Sequence, residues 1–403
     1  MRRHRLIAAL CGLALLLSGC WDLREMNHLA LVMAVGIDKA ETPGRIQVTI
    51  QVARPSAESK GSGPSQGGKP VYIATADGDT IFAAIRNLAQ FTSRRIMWAH
   101  NNIVIVGESL AQEDITPVID FFTRNQELRM RTWVAIARGS RARDIVTTST
   151  GMEDIPGISL SALLRYAELP GEAVRSELGD VLHAFLAPDD SPVIAALELR
   201  PRSLTPTNDP EQAERGLQAV LSGTAIFKHT RLVGYTERDV GRGLLWIRRQ
   251  MNNAVLSIPC PKGSKSSMAV EVRRPKINVR SSINGQTPTL HFEIETLAWL
   301  SEQDCPTPQF GTLELKRYAQ DALAKEIAAD VKDAVQFLQQ ELKTDGGKFA
   351  RVLHTQQPAW WRMNRSRWQE LFPKVKATVA VRVKIRKMSL FTRPMVMGEI
   401  RSK

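Results

Sequence analysis

Cysteines, histidines and paired acids are the side chains with which a chain of this kind could cut, transfer or hold a metal. This one has four cysteines and seven histidines in 403 residues. The histidines stand at positions 4, 28, 100, 183, 229, 291 and 354, none at the spacing that brings two ligands onto one face or one turn. A nucleophile elbow is absent, because "GISLS" at 157–161 lacks the closing glycine. Gly63 to Lys69 fits G-x-x-x-x-G-K, but Pro70 follows where a phosphate loop needs Ser or Thr, and no helix signal comes after it. Glu237 and Asp239 in "YTERDVGRG" lie beside Arg238 and Arg242, where ion pairing is preferred to a binding role. Neither an enzyme nor a metal or cofactor site is expected.

Cys20 is a different matter. Arg2, Arg3 and Arg5 form a basic start, Leu6 to Leu17 an apolar run, and Leu17-Ser18-Gly19-Cys20 resembles the bacterial lipobox. In that chemistry the Cys20 thiol receives a diacylglyceryl group, and the small residues at 18 and 19 let a peptidase cut before it. Residues 1–19 are therefore expected to leave as a signal peptide. The apolar run would reach about 18 Å as a helix against a hydrocarbon core of about 30 Å, too short to span. Acyl chains on Cys20 would hold the mature chain on a membrane without crossing it. Loss of three arginines and no acid lowers the formal charge from +13 to +10, which suits anionic headgroups better than nucleic acid in an exported chain.

Cys11 leaves with the signal. Cys260 ("SIPCPKG") and Cys305 ("SEQDCPTP") each precede a proline at an expected strand end. They either bridge or stand as two separate thiols, and export favours the bridge.

Those residues need a scaffold, and at this length it should comprise two or three domains. "HLALVMAVGIDKA" and "RIQVTIQVARP" read as a hairpin, and residues 56–69, almost without apolar side chains, as a mobile loop. Thr80 is placed to cap a helix presenting Ile81, Ile85, Leu88 and Phe91. Strands and helices then alternate through about residue 150, which predicts a mixed α/β domain over 20–200. "LRPRSLTPTNDPEQAERG" gathers three prolines and reads as a boundary, with linker and middle strands at 201–260. Over 261–403 a C-terminal α/β domain is expected: an antiparallel sheet packed on a long helix from Glu314 to Lys343. The last strand, "KVKATVAVRVKIRK", turns Val375, Val379, Val381, Val383 and Ile385 to one face and Lys374, Lys376, Arg382, Lys384 and Arg386 to the other. The fold class is thus α/β (α+β), multidomain.

Several stretches carry a family resemblance: "SGCWDLREMNHLALVMAVGIDK", "DGDTIFAAIRNLAQFTSRRIMWAHNNIVIVGESLA", "LSGTAIFKHTRLVGYTERDVGRGLLWI" and "QELFPKVKATVAVRVKIRKMSL". In their order and spacing they resemble the Ger(x)C lipoprotein family, the C subunit of spore germinant receptors. The resemblance implies a lipid-anchored α/β protein on the outer face of the inner spore membrane, working with a multispanning A subunit and a permease-like B subunit. It implies no catalytic residues.

Two readings then compete. The chain is either an interaction subunit that docks on membrane partners or a solute-binding lipoprotein that captures a germinant. The second would want a cleft between similar lobes, and the two halves differ in pattern, so docking is preferred. Its candidate surface is Lys374, Arg382 and Lys384 on the last strand with Trp360 and Trp361, which lie near Trp368 and Arg362, Arg365 and Arg367. Tryptophans packed on the C-terminal sheet are the plainer explanation of that cluster.

Overall fold

Alternating strand and helix signals predict a mixed α/β domain, and the sheet that forms has parallel central strands joined by helical crossovers. The structure is a computed structural model that describes Arg3 and residues 28–54, 70–148, 152–167, 171, 173–201, 216–261, 266–285, 287–303, 305 and 313–388. Cys20 and the loop expected at 56–69 lie outside the described residues.

Strands β1 (Leu29–Lys39) and β2 (Ile46–Ala53) make the expected hairpin, and β3 (Val71–Gly78) extends it. Helix α1 (Ile81–Leu88) starts where Thr80 Oγ1 accepts the Ala83 N–H at 3.1 Å. It buries Ile81, Ala84 and Leu88 and half-buries Ile85, but ends before Phe91, which is exposed rather than part of that face. Next come β4 (Arg95–Met97), β5 (Ile103–Gly107), α2 (Glu108–Glu113), α3 (Thr116–Arg124), β6 (Trp133–Ala137) and α4 (Ala142–Thr147). Helices α5 (Pro156–Arg165) and α6 (Leu178–Leu186) lead into β7 (Val193–Pro201).

Strands β1, β5, β6 and β7 run parallel at the centre of the sheet, with antiparallel strands outside them. Every residue of β5 is buried because both faces are covered. Val104 and Val106 pack with α1, α3 and α6, while Ile103 and Ile105 pack with α4 and α5. Buried Asp38 at the end of β1 positions α4, accepting the N–H groups of Ala142 at 2.8 Å and Arg143 at 2.9 Å.

The expected boundary near residue 200 does not separate two sheets. β7 pairs antiparallel with β8 (Leu217–Lys228), and β8 with β9 (Arg231–Thr236), so the middle strands complete the N-terminal sheet. Prolines between two strands mark a connection, and composition does not tell a hairpin connection from a linker.

Helix α7 (Arg238–Arg248) carries the chain to β10 (Asn253–Pro259), β11 (Ser267–Asn284) and β12 (Thr287–Gln303). Helix α8 (Leu313–Gln336) continues as a π turn over Phe337–Glu341, close to the span expected. It buries Leu315, Ala319, Leu323, Ile327, Val331 and Val335 against the second sheet and α7. Short helices α9 (Phe349–Gln356), α10 (Pro358–Asn364) and α11 (Trp368–Leu371) precede β13 (Lys376–Met388). The second sheet has the order β10-β11-β12-β13 and departs from expectation at its end, because β13 lies parallel to β12. The intervening helices return the chain to the end of the sheet at which β12 began, which is the crossover a parallel pair requires.

Candidate interaction surface

Period-two alternation on β13 places Ala377, Val379, Val381, Val383 and Ile385 toward α8 and the core. Lys376, Arg382, Lys384 and Arg386 are exposed on the other face. Lys374 is also exposed, but it sits in the short 3₁₀ turn Phe372–Lys374 before the strand. Arg382 is not a free cation, since its Nη2 lies 2.7 Å from Glu295 Oε1 on β12, the residue directly opposite it. Lys384 faces Leu297 in the register. β13 ends the sheet order, and among the described residues no strand pairs with its outer edge. Lysine and arginine on an edge strand discourage indiscriminate strand pairing while leaving a positive surface for a specific partner.

The tryptophans do not belong to that surface as a group. Trp361 is buried in a small cluster with Ala350 and Leu353, its ring 5.4 Å from Trp368 and stacked 6.0 Å from His354. Trp360 is half-buried against the same cluster, as is Ile283 of β11. An amphipathic short helix next to a sheet edge buries its largest apolar side chains first, so Trp361 is a packing residue and is withdrawn from the interaction surface.

Cys260 and Cys305 form a disulfide, with Cα atoms 5.6 Å apart and both side chains buried. Glu237 pairs with Arg138 across the first sheet, and Asp239 with Arg242 at 2.9 Å.

Sequence reasoning missed a buried charge cluster where the two sheets' elements meet. Asp190, on the loop before β7, lies 3.0 Å from Lys348 Nζ and 3.8 Å from both Arg248 and Arg351. Asp189 Oδ2 is 2.6 Å from His354 Nδ1. Asp345 accepts the Phe349 N–H at 2.9 Å and the Ala350 N–H at 2.7 Å, starting α9. Burial pushes the Asp345 carboxyl up to about 6 and pulls Arg248 and Lys348 down. The doublet Asp189-Asp190 between two prolines was the only hint in the sequence. Among the described residues, no three of His, Cys, Asp and Glu are grouped to hold a metal, and no helix is long and apolar enough to cross a membrane.

Comparison with known proteins joins these observations to a family. The model for the spore germination protein N-terminal domain matches residues 22–199, and that for "Spore germination B3/ GerAC like, C-terminal" matches residues 222–389. Their division falls at the connection between β7 and β8, so the second matched region begins while the chain is still in the first sheet. Spore germination protein KC of Bacillus subtilis (strain 168) is 25% identical over 403 residues, covering 98% of each chain. Spore germination protein B3 of the same organism is 23% identical over 365 residues, covering 89% of this chain and 91% of that one. The crystal structure of the GerBC protein is similar in fold, with a TM-score of 0.53 at 20% identity, over 90% of this chain and 99% of that one. With both halves matched in order and the fold shared, the chain belongs to the Ger(x)C family of spore germination proteins.

Proposed function

We propose that this chain is a lipid-anchored subunit of a spore germinant receptor. Acyl chains on Cys20 hold it on the outer face of the inner spore membrane, and it serves nutrient-triggered germination by docking on integral A and B subunits. Support for the germination role comes from relatives named spore germination proteins KC, B3 and A3. The observation that carries the docking step is the exposed Lys376, Lys384 and Arg386 face of β13, the last strand among the described residues of a sheet backed by a 24-residue helix. A rigid backing keeps such a face from deforming, so binding spends little on ordering it. The family offers no catalytic constellation to assign, and the reading is non-enzymatic.

The test is photo-crosslinking in spore membranes from a probe at position 384, with a Cys20→Ala strain labelled in parallel with a tagged fatty acid. Capture of the integral subunits by the wild-type chain, and loss of lipid label and membrane retention in Cys20→Ala, are expected. Equal lipid incorporation in Cys20→Ala would overturn the anchor, and crosslinks lacking any integral subunit would overturn the docking.

A further inference from the structure

Arg129, Arg131, Arg165 and Arg249 converge on one cavity of about 870 Å³, and among the described residues none of the four makes an ion pair. A fifth arginine there, Arg175, lies 2.6 Å from Glu177 and over the Trp133 ring at 5.5 Å. Among the described lining residues Glu177 is the one carboxylate. Like charges gathered around one hollow repel, and a guanidinium cannot relieve the repulsion by giving up its proton as a lysine can. Such an arrangement is relieved by an anion.

The cavity wall supplies a second, separate observation. Asn101 is 6% exposed, yet among the described residues neither its Nδ2 nor its Oδ1 has a hydrogen-bond partner, and the Gln250 Oε1 in the same wall has none either. A buried amide left unpaired is destabilising, and a polar occupant that hydrogen-bonds it removes that cost.

Position in the fold narrows the occupant. Asn101 and Asn102 precede β5 and Arg129 to Thr132 precede β6, both parallel to β1, while Arg249 and Gln250 follow α7. The cavity therefore opens at the end of the sheet where the chain enters it, and Asn102 N–H donates to the carbonyl of Met33 at 3.0 Å. Nine residues from Cys20 to His28 span at most about 30 Å extended, so a phosphate at the membrane surface lies within reach. Guanidinium forks match a phosphate's paired oxygens, and the volume exceeds that of bare phosphate.

We infer that this cavity binds a phosphate ester, supplied either as an anionic phospholipid headgroup or as a soluble ester. The inference goes beyond docking on protein subunits, and its soluble source stands whether or not Cys20 is acylated.

The test uses the chain from residue 20 onward with Cys20→Ser. One arm titrates glycerol 3-phosphate by calorimetry. The other floats the protein with phosphatidylcholine vesicles with and without phosphatidylglycerol. The variant Arg129→Gln/Arg131→Gln/Arg249→Gln is compared with Lys376→Gln/Lys384→Gln/Arg386→Gln, which removes equal charge from β13. Binding in at least one arm should fall about tenfold or more in the cavity variant and less than about twofold in the β13 variant. Arg249→Lys, which keeps the charge and loses the fork, should fall between. Response in the vesicle arm alone assigns the headgroup, and response in the calorimetric arm assigns a soluble ester. Binding in neither arm, or equal loss in the two triple variants, overturns the site. The six replaced side chains are exposed, and unchanged thermal unfolding will show that folding is retained.

Discussion

Arg242 donates two hydrogen bonds to Asp330, Nε to Oδ2 at 2.6 Å and Nη2 to Oδ1 at 2.7 Å. The pair joins α7, which leaves the first sheet, to α8, which backs the second. Asp330 is 2% exposed, and its burial pushes the carboxyl up to about 6 even against the pull of Arg242. Arg242→Ala would leave that carboxylate buried and alone, and is expected to lower stability by about 3 to 5 kcal/mol. Replacing both partners with apolar residues, Arg242→Met/Asp330→Leu, should recover most of the loss. Equilibrium denaturation of the three chains checks this, and equal losses in single and double variants would contradict it.

The same contact explains the next residue. A Cβ on Gly243 would lie 2.0 Å from the Asp330 carbonyl oxygen and 2.7 Å from Ala334 Cβ, so the two helices touch backbone to backbone there. Gly243→Ala forces them apart, with an expected loss of about 3 kcal/mol. A denaturation midpoint unchanged from wild type would show that the helices are not held this closely.

Asp345 sets a pH dependence. Burial raises it, the Ala350 and Phe349 N–H groups lower it, nearby Asp190 raises it and Arg248 lowers it, leaving it at about 6 against an ordinary 3.8. Between those values the folded chain holds the proton more tightly than the unfolded chain. The stability this group contributes is therefore present at low pH, declines as pH rises through the window, and is level above it. Asp345→Asn cannot ionise and loses one accepted N–H bond at every pH. The stability difference between wild type and variant should change by about 2 kcal/mol from about pH 4.5 to about pH 7, in favour of the variant at the higher pH. A difference independent of pH would place the Asp345 titration at its ordinary value.

The Cys260–Cys305 bridge closes a 45-residue separation. Constraining the unfolded chain by that much is worth about 4 kcal/mol in the chain-entropy account. Cys260→Ala/Cys305→Ala is expected to lose about that amount, and chemical reduction of the wild type should bring it to nearly the same midpoint. Two alkylatable thiols in the unreduced, unfolded mature domain would show that the bridge is not made in solution.

What could be read from the sequence divides along physical lines. Helix α8 and the Thr80 cap were legible because local chemistry fixes them: apolar spacing for one, a single side-chain oxygen for the other. The parallel direction of β13 was not, since alternation along a strand is the same in either direction. Membership of β8 and β9 in the first sheet depends on pairing across the β7–β8 connection, which the prolines between them do not report. Trp361 was open to both a surface and a packing reading because its burial is decided by α9 and β11, not by its neighbours in the chain. The cavity arginines run from position 129 to position 249 and share no period, so only the fold gathers them.

The face of β13 is where function and stability can be separated. Arg382 is already engaged by Glu295, so reversing it would set two carboxylates together and confuse a binding effect with a local repulsion. Lys376, Lys384 and Arg386 are exposed, and none of them has an ion pair among the described residues. The triple reversal Lys376→Glu/Lys384→Glu/Arg386→Glu should change stability by about 0.5 kcal/mol or less per site, because the core-facing valines of β13 are untouched. Association with an acidic partner depends instead on the sign of that face, and reversing three charges should slow capture and weaken crosslinking in spore membranes, most strongly at low ionic strength. Germination through the receptor should be impaired while the variant remains folded and membrane-bound. Wild-type germination with undiminished crosslinks would show that the partner is held elsewhere, and the positive edge of β13 would then be only a guard against unwanted strand pairing.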